Sequence, residues 1–515
     1  MLFRDLGLSL ARHEKSALIG ANGSGKSTLL RIVAGELAPA AGRVEVASLP
    51  WLVPQHFGQC DGMRIGAALR VEEKLRALGA ILSGSADESD FVTLDDDWEV
   101  EERCVEALAH WGLEGVGLMD PMGRLSGGEK TRVFLAGIRI HRPDLVLLDE
   151  PTNHLDRAGR ELVYEYVASS RETLLIVSHD RELLELPGSV IELTRDGIAV
   201  FGGSFAAFST QRAMEESAML DALQNAESAL RAARRAEQET AERKLRRDVR
   251  GKAKLIERGV PKIVWNRYRD TAEASGARMS EEHAAKIAAT AAKAAAIRAQ
   301  LPEHRRMRMN VPGATLHGGK VLVEASGMNH GFGEELLWPA PLDVVVRSGE
   351  RVQIAGRNGS GKSTLLRLLL GELTPRTGTV RRAEVHAVCI DQDYALVRGF
   401  RTVFDLARAF NTTGLEEHEL RIRLHRHLFD ATACGKPCEA LSGGERLRLL
   451  LCCVFTIGAP PDLVALDEPT NNLDLQNIGL LTRAIAAYRG TVLVISHDRR
   501  FLEEIGVERV VAVGG

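Results

Sequence analysis

The chain has 515 residues, too many for a single core, with 45% hydrophobic residues, a formal charge of −4 and seven cysteines. Its apolar runs, such as Leu145–Leu148 and Leu449–Phe455, fall far short of the ~18–20 residues of a spanning helix, which excludes a membrane-embedded chain. An arginine and an acid at once interrupt the start Met1-Leu-Phe-Arg-Asp5, and Cys434/Cys438 and Cys452/Cys453 lack a second pair at metal spacing; a soluble, cytoplasmic protein with buried free thiols is expected.

In chain order, the run Ser16-Ala-Leu-Ile-Gly20 reads as a buried strand that leads into Gly20-Ala-Asn22-Gly23-Ser24-Gly25-Lys26-Ser27-Thr28. Glycines at these spacings let the backbone turn tightly, so that consecutive N–H groups and a helix N-terminus can surround phosphates. Lys26 is predicted to bridge the β- and γ-phosphates of ATP, and Ser27 to ligate Mg²⁺. An acidic stretch, 83–100, is predicted to be a solvated surface loop. Next come Leu125-Ser126-Gly127-Gly128-Glu129, a helix opening suited to a phosphate, and the apolar strand Asp144–Leu148 followed by Asp149 and Glu150. Asp149 is expected to bind Mg²⁺ through water and Glu150 to orient the attacking water. The strand Thr173–Val177 precedes Ser178-His179-Asp180.

The texture then changes. From Ser204 to Glu257 there is no proline, and Ala, Arg, Glu and Leu dominate, which is helix-forming composition. Leu223, Ala226, Leu230 and Ala233, and later Ile287, Thr290, Ala294, Ile297 and Leu301, repeat at coiled-coil spacing. Gly259-Val-Pro261 is predicted to end the first helix and Ser280, with Glu281 and Glu282, to cap the second, giving an antiparallel hairpin. From Arg212 to Arg308 there are 22 Lys/Arg against 14 Asp/Glu, and Arg243–Arg269 alone holds 11 basic residues, with Trp265 and Tyr268 available to stack on bases. That excess of one sign points to a polyanionic partner such as RNA.

The second half repeats the first: the strand Arg351-Val-Gln-Ile-Ala-Gly356, then Gly356-Arg-Asn358-Gly359-Ser360-Gly361-Lys362-Ser363-Thr364, Gln392, Leu441-Ser442-Gly443-Gly444-Glu445, Asp467-Glu468 and Ser496-His497-Asp498. Gly20 and Gly356 stand 336 positions apart, and Asp149 and Asp467 stand 318 apart, so the halves are co-linear but for an insertion in the first between Gln55 and Ser126. The expected fold class is α/β: two tandem P-loop domains, residues 1–203 and 313–515, joined by a charged helical hairpin over 204–312.

Five motifs in one order, twice, strongly resemble the ATP-binding-cassette family, and the absence of a membrane segment, the hairpin, Pro151-Thr-Asn-His-Leu-Asp156, Phe201-Gly-Gly-Ser-Phe205 and Arg258-Gly-Val-Pro-Lys-Ile263 resemble its ABC-F class over essentially the whole chain. The resemblance implies that Gln55 and Gln392 sense Mg²⁺ and water and that His179 and His497 face the γ-phosphate. It also implies that each signature segment serves the other domain's nucleotide, so that Lys26 shares a site with Ser442, and Lys362 with Ser126, within one chain acting as a monomer. It implies ATP hydrolysis on the ribosome, with the linker contacting rRNA or tRNA near the exit site, in translation or in protection against antibiotics. The alternatives are a soluble ATPase pair for separate transporter subunits and a DNA-binding repair ATPase.

Two departures carry expectations. Phe332 suits the family's adenine-stacking position in the second half, whereas the first half starts too late for the usual opening strand, or begins upstream of Met1. Asn472 replaces the histidine seen at His154, a change expected to spare hydrolysis.

Overall fold

The computed structural model describes residues 3–84, 87–194, 197–257, 262–301, 317–331, 333 and 335–514; of these, the side chains of 244, 247–249 and 251–280 are left aside. Phe332, the Gly259–Pro261 break and the side chains of Arg247, Lys252, Lys254, Lys262, Trp265 and Tyr268 therefore lie outside the described residues. The chain divides into two compact units: Met1–Phe208 with Arg308–Gly515, and Ser209–Met307.

In the first unit each half builds a mainly parallel sheet. The strands of the first half are β1 (Lys15–Ile19), β2 (Trp51–Val53), β3 (Leu145–Asp149), β4 (Thr173–Val177), β5 (Ser189–Thr194) and β6 (Gly197–Gly202), in the order β2-β3-β4-β1-β5-β6. All neighbours pair in parallel except β5 with β6. Strands β3 and β4 are almost wholly buried runs of Leu, Val and Ile, as expected of a parallel sheet covered on both faces. In the second half β7 (Val321–Asn329), β8 (Leu342–Arg347) and β10 (Thr377–Arg382) form an antiparallel sheet with β7 in the middle. β9 (Arg351–Ala355), β11 (Ala387–Asp391), β12 (Leu463–Asp467), β13 (Thr491–Ile495) and β14 (Arg509–Ala512) form the parallel sheet β11-β12-β13-β9-β14.

The acidic insertion is not the loop that its charge suggested. Residues Glu88–Leu94 form a helix whose N-cap, Asp87, accepts from the Ser89 N–H at 3.0 Å, and Leu94 is fully buried. Asp97 holds Lys74 at 3.1 Å and both guanidinium nitrogens of Arg103 at 2.7 and 2.8 Å. Asp87, Glu88, Asp95, Asp96 and Glu99 stay exposed, as expected of a solvated stretch, while Asp97 is anchored by counter-charges that net charge does not reveal.

The second unit holds two helices, Phe205–Glu257, whose residues up to Phe208 belong to the first unit, and Lys262–Gln300. The second helix runs straight through Ser280, so the predicted cap there is wrong: Ala-rich sequence keeps the helix going, and Ser with two acids is no barrier when a helix is already propagating. Leu223, Leu230, Ala233, Ile287, Thr290 and Ile297 are half-buried, while Ala226, Ala294 and Leu301 are buried, so the seam predicted from spacing is the covered stripe. Arg298 pairs with Glu227 across the two helices, which run antiparallel.

Candidate active sites

Strand order alone gathers the motifs. β3, β4 and β1 are neighbours running in parallel, so their C-terminal ends open on one edge, where ligands bind in such sheets. The glycine-rich loop leaves β1, Asp149 and Glu150 end β3, and Ser178-His179-Asp180 leaves β4. β9, β12 and β13 do the same for the second set.

Each glycine-rich loop ends on a left-handed glycine capping a helix: Gly25 (φ 99°) before Lys26–Val33 and Gly361 (φ 90°) before Lys362–Leu370. An L side chain would strain at both. The Lys26 ammonium donates to the carbonyls of Gly20 (2.8 Å) and Ala21 (3.2 Å), and Lys362 to those of Gly356 (2.9 Å) and Arg357 (3.0 Å). Ser27 hydrogen-bonds Asp149, and Ser363 hydrogen-bonds Asp467. Thr28 faces the first cavity beside Ser27, and Thr364 follows Ser363 into its helix.

Glu150 and Glu468 both take the left-handed region, at φ 51° and 46°. Such backbones are uncommon outside glycine and gather at functional sites. Each is held by its N–H donating to the adjoining strand, to Val177 O at 2.8 Å and Ile495 O at 2.9 Å. His179 Nε2 lies 3.4 Å from Glu150 Oε1, and His497 Nε2 lies 3.3 Å from Glu468 Oε1. Burial pushes His179 down to about 3, helped by Lys26, and His497 down to about 4, helped by Lys362 and Arg160. Both rings are neutral at pH 7, so these contacts are not ion pairs. Burial raises both glutamates; Asp149 adds to the rise of Glu150, and Arg160 and Lys362 oppose that of Glu468.

Asp149 Oδ1, Glu150 Oε1 and Glu468 Oε2 are buried without a hydrogen-bond partner among the described residues. Bare carboxylate oxygens in a buried setting are costly unless a cation or donor meets them. The Ser27 hydroxyl, Gln55 amide and Asp149 carboxylate are hard oxygen donors, the type that suits Mg²⁺ held jointly with phosphate and water. No cage of three or more His, Cys, Asp or Glu exists among the described residues. The residues fit ATP with Mg²⁺.

Two cavities lie between the halves. One, of about 400 Å³, is lined by Asn22–Gly23, Gly25–Thr28, Gln55, Asp149, Glu150 and His179 from the first half and by Thr470–Leu473 and Asp498 from the second. The other, of about 500 Å³, joins Ser126, Gly128 and Glu129 of the first half with Asn358–Ser360 of the second. Ser126 therefore faces Asn358–Ser360 of the second glycine-rich loop, but Lys362, Ser363, Gln392, Asp467, Glu468 and His497 do not line that cavity, and Ser442, Gly443 and Gly444 do not line the first. Ser126 and Ser442 cap their own helices through reciprocal bonds with Glu129 and Glu445. A Cβ on Gly128 would stand 2.7 Å from the His154 carbonyl, so glycine is required for that close approach. Asn22 Nδ2 donates to Asn472 O (3.2 Å) and Asn358 Nδ2 to His154 O (2.9 Å). His154 and Asn472 share φ near 60°, a conformation both side chains tolerate, which accounts for their exchange. Arg160, Leu337 and Pro339 line these cavities without a motif to announce them.

A family model described as "ABC transporter" matches residues 3–153 and 340–471. The chain is 32% identical to the ATP-binding protein Uup of Caulobacter vibrioides, over 100% of this chain and 75% of that protein. It is 30% identical to the tylosin resistance ATP-binding protein TlrC of Streptomyces fradiae, over 97% of this chain and 92% of that one. Among solved structures, the archaeal ribosome recycling factor aABCE1, crystallised with the ribosomal stalk protein aP1, shares the fold with a TM-score of 0.58, at 18% identity over 98% of this chain and 84% of that one. No described helix is long and apolar enough to cross a membrane. The two cavities, their matched motifs and these relatives place the chain in the ATP-binding-cassette family, in its ABC-F class, and make it an ATPase.

Proposed function

We propose that this ATPase is a cytoplasmic, monomeric ribosome-binding factor that hydrolyses ATP at both composite sites. Lys26 and Lys362 swing from their loop carbonyls to the β/γ-phosphates, with the backbone of Gly20–Gly25 and Gly356–Gly361 around them. Ser27, Gln55 and Asp149, and Ser363, Gln392 and Asp467, hold Mg²⁺, which when bound neutralises phosphate charge. Glu150 and Glu468 take position on the attacking water; burial brings their basicity towards the working pH, where a general base is most effective. The backbone N–H groups of His179 and His497 hold these carboxylates, and their neutral imidazoles face the γ-phosphate. Ser126 completes the second site and Ser442 the first when the cassettes close, and Phe332 stacks on adenine in the second.

The ribosomal reading rests on the hairpin. Arg243, Arg246 and Arg250 are exposed on its first helix, and the i,i+4 pairs of Arg243 with Glu239 (3.5 Å) and Arg246 with Glu242 (3.9 Å) are wet surface contacts worth at most ~1 kcal/mol, easily exchanged for phosphate. A relative named for tylosin resistance and a fold neighbour named as a ribosome recycling factor support the same direction. Reversing Arg246, Arg250, Lys252 and Lys254 to Glu is expected to abolish co-sedimentation with ribosomes while ATP hydrolysis stays within about twofold, because phosphate contacts release counterions and each lost cation weakens them steeply. Unchanged co-sedimentation at physiological salt would overturn the RNA contact; recovery on DNA or membranes would favour the repair or transporter alternative.

A further inference from the structure

Arg160 has no equivalent in the other half. The 318-residue shift that superposes Asp149 on Asp467 maps Arg160 to Ile478, Tyr164 to Thr482 and Asp180 to Asp498. Arg160 is a buried arginine, and buried guanidinium groups are rare without a reason to keep them charged. Its Nε donates to the Leu155 carbonyl at 3.3 Å, and its Nη1 lies 3.5 Å from Asp180 Oδ2, which also accepts from the Tyr164 hydroxyl at 2.6 Å. Leu155 belongs to the loop whose His154 carbonyl accepts from Asn358 in the second glycine-rich loop, and His154 and Leu155 line the second cavity. Asp180 adjoins His179, and both line the first cavity. One guanidinium therefore touches a loop of each site.

In the other half the corresponding position, Ile478, offers no polar atom, and Asp498 is met instead by Arg181 from the first half at 3.5 Å. We propose that Arg160 is a positioning residue that couples the two ATP sites, tying the His154–Leu155 loop at the second site to the Ser178-His179-Asp180 loop at the first. A shift of Asp180 when nucleotide fills the first site is passed through the rigid fork of Arg160 to Leu155, and so to the His154 carbonyl against Asn358. Linkage makes the effect mutual: filling the second site alters affinity at the first by the same factor. The inference rests on the assignment of the two ATP sites above.

The test compares the ATP affinity of the second site, read from the ATP dependence of turnover in a Glu150→Gln background, with and without Lys26→Ala to prevent nucleotide binding at the first. With Arg160 intact the two affinities are expected to differ at least about fivefold, the lower range of allosteric coupling. In Arg160→Ile, which copies the residue used at 478, and in Arg160→Lys, which keeps the charge but cannot hold both partners at once, they are expected to agree within about twofold. An unchanged ratio in these variants, or a ratio near one with Arg160 intact, would overturn the proposal. So would a failure of both variants to fold, because Arg160 would then be a structural residue. Binding of a fluorescent ATP analogue separates this from failure of the underlying assignment: if Lys26→Ala leaves two nucleotides bound per chain, the sites themselves are misassigned.

Discussion

In the second cassette β7 is the middle strand of an antiparallel sheet flanked by β8 and β10, whereas the segments of the first cassette that correspond to β8 and β10 by the 336-residue shift, 6–11 and 41–46, form no strand. Around them Val44, Val46 and Leu49 are exposed, at 43, 44 and 72%, and Leu6, Leu8 and Leu10 are only partly covered. The five parallel strands, by contrast, have the same order in both halves, with β6 added at the edge of the first sheet, and carry the same Lys, Ser, Asp, Glu and His constellation. Both sets of phosphate-loop motifs thus stand on the parallel cores. The segment between β7 and β8 supplies Leu337 and Pro339 to the second cavity, and Trp338 Nε1 donates to the Ser360 carbonyl at 2.9 Å, bracing the second glycine-rich loop alone.

The comparison can be broken most forcefully at the glutamates, where the halves are alike. Replacing Glu150 and Glu468 together by Gln is expected to lower phosphate release by about 10²–10⁴-fold, the usual scale of general-base loss, with ATP binding retained. Near-normal turnover would remove both from the chemistry and with them the equivalence of the two cores.

Where the halves differ, nucleotide affinity should differ. The second site, whose cavity Leu337 and Pro339 line, is expected to hold nucleotide more firmly than the first, by roughly 1–3 kcal/mol, or about 5- to 150-fold, if apolar cover over the base is the difference. Dissociation constants measured in Lys26→Ala and Lys362→Ala single variants report each remaining site. Equal values would show that the antiparallel sheet contributes nothing to nucleotide binding.

A smaller effect separates the histidines. Both titrate below the ordinary 6.5 because burial disfavours the charged ring, His179 at about 3 and His497 at about 4. With folded-state values depressed, the unfolded chain binds more protons, so stability is fully present above pH 6.5 and is lost as pH falls towards the folded-state values. His179→Asn should flatten the fall of the melting temperature between pH 6.5 and 4 more than His497→Asn does. The reverse order would mean that the first site is the more open to water.

What the sequence reveals here is set by how tightly chemistry fixes residue type. A glycine at 25 or 361 and the lysine after it tolerate little else, so the phosphate loops, their strands and the Asp-Glu pairs are legible, and the 3/4 spacing of Leu223, Ala226 and Leu230 on one helix and of Thr290, Ala294 and Ile297 on the other marks the covered seam of the hairpin. Asp97 illustrates the converse: its charge reads as solvated until Lys74 and Arg103 arrive from elsewhere in the fold. Ser280 looks like a cap because capping chemistry is local, but helix continuity is not. Arg160 and Leu337 are invisible for the same reason, since their roles come from loops brought together only by the folded pair of cassettes.

The central claim is that each ATP site is built from both cassettes, and the second offers the clearest test because Ser126 faces Asn358–Ser360 across one cavity. In a Glu150→Gln background, where turnover comes from Lys362 and Glu468 alone, Ser126→Arg places a bulky cation in that cavity from the opposite cassette. Steady-state phosphate release is predicted to fall to the level of the Glu150→Gln/Glu468→Gln double variant. Turnover persisting at the background rate would mean that the second site works without the first cassette and would contradict the account.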